Sequence, residues 1–328
     1  MGTAMTDIAE TGPRRSINIS SMLHRYGTFV ILIALLIVAA SMSDVFLTQR
    51  NLVNVLRQIS GTSLMAVGML FVILTRGIDL SVGSIAALGS VISAILIQQY
   101  SPGVAIGAAV IAGGLCGAVS GGLVAYLKLP PFVTTLAMMT IARGLSYIVS
   151  TGQPIVMGEA GAFITGFGSG SLIGIPYPII LMAIVFAIAG IVLAFTRFGR
   201  LVKAIGSNAE AVRLSGIPVA HYTMSVYVIS GFLAALAGIV STSRTGVGSA
   251  NIGVGAELDA IAAVVIGGAS LMGGRGGVIN TLIGVLVLGI IANMMNLARV
   301  PGYHQQVFMG CIIIGAMLLQ YASTIFKR

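Results

Sequence analysis

The sequence predicts an all-α polytopic membrane protein of about ten transmembrane helices, and three observations carry that reading. Apolar residues make up 57% of the 328 positions and charged residues 8%, with a mean hydropathy of +1.06. A soluble surface needs far more charge than this, whereas lipid accepts an apolar exterior. The apolar residues also fall into about ten runs, most of them near the ~20 residues that a spanning helix requires. Finally, the basic residues behind the net charge of +9 are scattered through the gaps between runs. Scattered bases act as topology signals, and they argue against nucleic acid as a partner.

Taken in order, residues 1–25 are a polar tail with Arg14 and Arg15, a pair faintly like a twin-arginine signal. The apolar run that follows is long and lacks a small-residue cleavage site, so the tail reads as a retained cytoplasmic segment. The expected spans are 26–42, 60–75, 81–98, 103–127, 132–149, 177–196, 223–243, 258–271, 278–297 and 303–322, with 323–328 as a second short tail. The shorter runs fit tilted, broken or re-entrant pieces. The transmembrane domain is thus 26–322, and it includes a polar loop at 197–222.

Placing the N-terminus inside puts twelve of the 17 basic residues on the cytoplasmic side: Arg14, Arg15, Arg25, Arg76, Lys128, Arg197, Arg200, Lys203, Arg213, Arg275, Lys327 and Arg328. The other side holds five, Arg50, Arg57, Arg143, Arg244 and Arg299. Both termini are therefore expected in the cytoplasm.

Within the spans, Gly113, Gly117 and Gly121 recur at i, i+4 and i+8, a small-residue face that lets two helices approach closely. Cys116 and Cys311 read as small buried residues. Tryptophan is absent, which leaves tyrosine to serve the interfaces. The stretches around Asp79 (RGIDLSVGS) and Asp259 (VGAELDAIAA) each set a Gly-flanked acid before an apolar run, and KLPPF at 128–132 and RVPGY at 299–303 form a second pair. With these spans the paired motifs lie on opposite sides of the bilayer, as in an inverted repeat of spans 2–5 against spans 7–10.

Chemistry-bearing motifs are few. No lysine follows a glycine, so the chain has no phosphate-binding loop. His24, His221 and His304 stand apart with no metal-ligand spacing. Most carboxylates sit at span ends, whereas ion-coupled carriers place them at mid-membrane. Asp79 and Asp259 are the two exceptions to weigh, and a helix-start acid at the positive end of a dipole is the simpler account of both.

The polar loop is the most distinctive feature. Ser207 and Glu210 have capping-box spacing, Ala209 to Leu214 favour helix, Gly216 suits a left-handed stop, and Pro218 blocks continuation. Six or seven helical residues give a rod of about 10 Å, too short to span. An isolated helix of this length is unstable in water, so either the chain's own membrane domain or a partner's groove must hold it. Ala211, Val212 and Leu214 would be the apolar contacts.

NAEAVRLSG in this loop resembles the E-A-A-x-x-x-G loop of importer permeases in the ATP-binding-cassette class. Glu210, Ala211 and Gly216 match, Val212 replaces an alanine, and the downstream proline of the longer motif is missing. VILTRGIDLSVGS (72–84), ELDAIAAVVIGGASLMGGRG (257–276) and NTLIG (280–284) are similar to the ribose-type monosaccharide branch, and the likeness runs from about 46 to 319. Arg76 departs from it, since relatives carry a small polar residue there. The resemblance implies a transport subunit in a bacterial inner membrane, not an enzyme, with no cofactor of its own. It implies a second permease subunit, two partner ATPases holding ATP and Mg, and an extracytoplasmic sugar-binding protein. It also implies that Ser207, Glu210, Ala211, Val212, Leu214 and Gly216 form the ATPase-coupling helix. A self-sufficient carrier or channel is the alternative, but it leaves that helix idle. A neutral sugar or polyol needs hydrogen bonds along its path. Asn54, Gln58, Asn293 and Asn296 are the candidates, although helix–helix hydrogen bonding in lipid competes as their role.

Overall fold

A computed structural model describes residues 19–325, which form twelve α-helices. They are α1 (Ile19–Met42), α2 (Gln49–Leu74), α3 (Val82–Leu96), α4 (Pro102–Ala125), α5 (Pro131–Val149), α6 (Ala162–Ser169), α7 (Tyr177–Phe195), α8 (Arg197–Leu214), α9 (Val219–Thr245), α10 (Ala256–Ile266), α11 (Val278–Leu297) and α12 (Gly302–Ile325). Arg14, Arg15, Lys327 and Arg328, which the expected orientation draws on, lie outside the described residues. Proline opens α4 and α5 at the position where a missing amide hydrogen costs nothing.

Six of these helices, α2, α4, α5, α7, α9 and α11, are long and apolar enough to cross a membrane. The buried centre is α2, in which every residue from Ser63 to Leu74 is buried. It packs against α7, α9, α10 and α11, and α9 in turn packs against α3, α4 and α6. The α4–α9 contact is made through the glycine face. A Cβ at Gly117 would stand 2.2 Å from the Tyr227 carbonyl oxygen, and one at Gly113 would stand 2.5 Å from that of Gly231. Only glycine allows backbones this close.

α2 starts at Gln49, eleven residues before the expected span at 60. The polar run Arg50, Asn51, Asn54, Arg57 and Gln58 hides this first part from a hydropathy reading. Thr48 caps it by accepting the Asn51 amide at 3.3 Å. α3 and α10 are short, at 15 and 11 residues. The first turn of α3 meets the loop that leads into α10, since a Cβ at Gly83 would stand 2.2 Å from the Gly253 carbonyl oxygen. Cys116 is half-buried, while Cys311 is exposed on α12, contrary to the expectation of burial.

Two small strand pairs complete the fold. β1 (Ile155–Val156) pairs antiparallel with β4 (Val247–Gly248), and β2 (Ser171–Leu172) pairs with β3 (Ile175–Pro176). Both pairs lie at the end of α7 opposite to α8.

Candidate functional site

α8 begins where Thr196 closes α7, its Oγ1 accepting the Gly199 amide at 3.2 Å. Gly199 lets the turn fold tightly, because a Cβ there would stand 2.3 Å from the Val192 carbonyl oxygen. The helix runs to Ser207 and then breaks at Asn208, whose backbone is extended (φ −157°, ψ 93°). The Asn208 side chain accepts the Ala211 amide at 3.0 Å and so starts a second helical segment from Ala209 to Leu214. Gly216 stops that segment with φ +79°, its amide donating to the Arg213 carbonyl at 3.0 Å. No atom lies within 4 Å of a Cβ built on Gly216, so its need for glycine is conformational.

Two features of the expected helix are corrected. The cap is Asn208 and not the Ser207–Glu210 box. Ser207 Oγ donates to the Lys203 carbonyl at 3.1 Å, while Glu210 accepts from Arg213 at 2.9 and 2.5 Å. Asparagine is as good a cap as serine, and with Asn208 capping, Glu210 falls in the first turn, where the helix dipole favours an acid. The hydrogen bonds from Arg213 hold the Glu210 carboxyl below the ordinary carboxylate range. Val212 also faces inward and is buried. The exposed surface is therefore Ala211 and Leu214, which is 75% exposed, beside the Glu210–Arg213 pair.

The two acids lie in the membrane domain. Asp79, fully buried in the α2–α3 link, accepts the Ser81 amide at 3.0 Å, the Ser81 hydroxyl at 2.5 Å and the Ser230 hydroxyl of α9 at 2.7 Å. It therefore joins the start of α3 to α9. Asp259 lies in the first turn of α10 and lines a cavity of about 100 Å³ with Gln58, Thr62, Gly289, Ala292 and Met309.

The remaining polar candidates separate. Asn293 exchanges two hydrogen bonds with Asn51, at 3.0 and 2.9 Å, in a buried pair that ties α11 to α2. Asn51, which the sequence reading passed over, also donates to the Phe46 carbonyl at 2.9 Å. Asn296 accepts from Gln305 at 2.9 Å. Asn54 and Gln58 are exposed one turn apart on α2. The structure thus gives Asn293 and Asn296 protein partners, and of the four it leads only Gln58 into the cavity.

Residues 51–317 match the protein family described as branched-chain amino acid transport system / permease component. The ribose import permease protein of Haemophilus influenzae is 42% identical over 294 residues, covering 89% of this chain and 91% of that protein. The ribose import permease protein of Bacillus subtilis is 41% identical over 315 residues, covering 96% and 98%. The D-allose transport system permease protein of Escherichia coli K12 is 38% identical over 323 residues, covering 97% and 98%. No solved structure matches the chain.

Proposed function

The chain belongs to the branched-chain amino acid transport system / permease component family, and from that premise we propose that the tip of α8 is where partner ATPases drive it. The protein is the transmembrane permease subunit of a sugar importer of the ATP-binding-cassette class, and it is not itself an enzyme. The observation that carries the coupling reading is the shape of α8. A segment of six residues, capped by Asn208 and stopped by Gly216, presents Leu214 and an ion pair away from the chain's own core. Val212 anchors the segment to the chain itself, which leaves Leu214 and the ion pair free to enter a partner's groove.

In the assembled importer, two copies of the chain stand on two ATPase domains, which hold ATP and Mg²⁺. An extracytoplasmic binding protein delivers a monosaccharide or related polyol. Relatives named for ribose, D-allose and L-arabinose support that class of cargo. The ten-span inverted repeat also belongs to this reading, and the pattern of helix packing supports it. α3 and α4 pack against α9, while α10 and α11 pack against α2; α3 packs against α4 and α5, while α10 packs against α11 and α12. Exchanging α2–α5 for α9–α12 maps each of these contacts onto another of them, while the α4–α5 contact has no comparable counterpart between the described parts of α11 and α12.

The cavity at the start of α10 is the candidate sugar contact. Gln58, Thr62 and Asp259 offer an amide, a hydroxyl and a carboxylate, groups suited to a polyol's hydroxyls, among apolar walls. Asn293 and Asn296 serve instead as helix ties. Purified chain, partner ATPases and binding protein reconstituted together are expected to take up labelled ribose or a related sugar only when ATP is supplied. Uptake by the chain alone, driven by an ion gradient, would overturn the importer reading in favour of a self-sufficient carrier.

A further inference from the structure

Three elements that are remote in sequence meet at the break in α8, and Arg76 is the side chain that joins them. α2 ends in a paired-bond stop: the Gly77 amide donates to the Val72 carbonyl and the Arg76 amide to that of Ile73, each at 3.0 Å. The residue in the left-handed position of such a stop is ordinarily glycine. Here it is Arg76, with φ +65°, so the site accepts backbone strain in order to carry a side chain. That side chain reaches α8. Arg76 Nε donates to the Gly206 carbonyl at 2.6 Å and Nη2 to the Ser207 carbonyl at 2.7 Å. These are the last two carbonyls before the backbone turns at Asn208, the negative end of the first segment, where a guanidinium is the fitting partner.

The loop after α10 closes the joint. The Gly274 amide donates to the Leu74 carbonyl at 3.0 Å. A Cβ at Gly206 would stand 1.8 Å from the Leu74 carbonyl oxygen, and one at Gly273 would stand 2.4 Å from Arg76 Cγ. Backbone therefore meets backbone with no room to slide. α2 then runs from this joint to Gln58 at the cavity, a rigid rod of about 24 Å.

We infer that Arg76 is a positioning residue for transport: its two hydrogen bonds fasten the coupling segment to α2, so that movement of the α8 tip is delivered to the helix that lines the cavity. This rests on the reading of α8 given above. The test is Arg76→Gly in the reconstituted complex, beside Arg76→Lys and wild type, with sugar uptake and ATP hydrolysis measured together. Glycine suits the left-handed stop better than arginine, so a role limited to ending α2 predicts equal or higher thermal stability and unchanged uptake. The inference expects a stability near that of wild type, because the lost hydrogen bonds offset the relieved strain, together with uptake per ATP hydrolysed reduced at least fivefold. Lysine, which keeps the charge but loses the fork, should restore part of the ratio. Amide exchange at Ala209, Glu210 and Ala211 in the purified permease should also quicken in Arg76→Gly, an outcome read without any transport assay. If wild type couples and Arg76→Gly couples equally, or if exchange is unchanged, the inference falls and the importer reading stands. If wild type itself shows no ATP-dependent uptake with its partners, the importer reading falls and takes this inference with it.

Discussion

Gly216 is held at φ +79° in open space, so a substitution there strains the backbone and clashes with nothing. A β-branched residue in that region costs about 1–3 kcal/mol. Gly216→Val is therefore expected to insert and fold normally while losing binding-protein stimulation of the ATPases, whereas Gly216→Asn, which tolerates the conformation, should keep most of it. ATPase rates of the reconstituted variants decide this, and full stimulation in Gly216→Val would reduce the segment to a surface loop. Because the cap belongs to Asn208, Glu210 can be tested for its charge alone. Glu210→Gln breaks the pair with Arg213 and leaves the cap in place. Arg213 lowers the Glu210 pKa, so the pair contributes above the ordinary carboxylate pKa of about 4.3 and is lost as pH falls through the lowered value. Both partners are exposed, which keeps the effect small. Wild type should lose a little affinity for the ATPase on acidification, and Glu210→Gln should not show that loss in pull-downs across pH. The stop at Gly216 and Pro218 was legible because it is local chemistry. The cap was not, because Ser207 and Asn208 are neighbours with equal capping ability. Arg76, 131 residues away, holds the Ser207 carbonyl on the near side of the break.

At the level of elements, the α4–α9 contact gives a matched pair of substitutions. A Cβ at Gly117 would stand 2.2 Å from the Tyr227 carbonyl oxygen, while nothing lies within 4 Å of one at Gly114 on the same helix. Gly117→Leu forces two backbones apart, a change costing about 1–3 kcal/mol or more for overpacking. Gly114→Leu meets no obstacle and improves helix propensity by up to about 1 kcal/mol. Gly117→Leu should lower the yield of folded, detergent-stable protein, and Gly114→Leu should match wild type in size-exclusion chromatography. Equal yields would place the Gly117 face in lipid. The i, i+4 spacing exposed this face in the sequence, yet its partner on α9, Tyr227, Gly231 and Ala235, has only one glycine to mark it. The first turns of α2 were hidden for the opposite reason. Asn51 is buried against Asn293, and hydropathy cannot tell a satisfied amide in a core from one in water.

At the level of the whole molecule, two helices fix which surfaces share a side. α7 has 19 residues, about 28 Å at the usual rise, and joins the β2–β3 hairpin at one end to α8 at the other. α9 starts just after α8 and ends at β4, which pairs with β1. If both helices span, the strands, α6 and the hairpin all lie on the side opposite the tip of α8. Charge supplies the absolute direction. Residues 150–175 carry Glu159 and neither Lys nor Arg, while 197–213 hold Arg197, Arg200, Lys203 and Arg213, so the positive-inside rule predicts α8 on the cytoplasmic side. Ser169 is exposed at the end of α6 and provides a reporter. In a background with Cys116 and Cys311 replaced, Ser169→Cys should react with a membrane-impermeant maleimide added outside intact cells, and Ser215→Cys should react only after the membrane is opened. The reverse pattern would turn the molecule over and put α8 out of reach of any cytoplasmic ATPase. Labelling of both from outside would mean that α7 does not cross, which would undo the span count and the inverted repeat together.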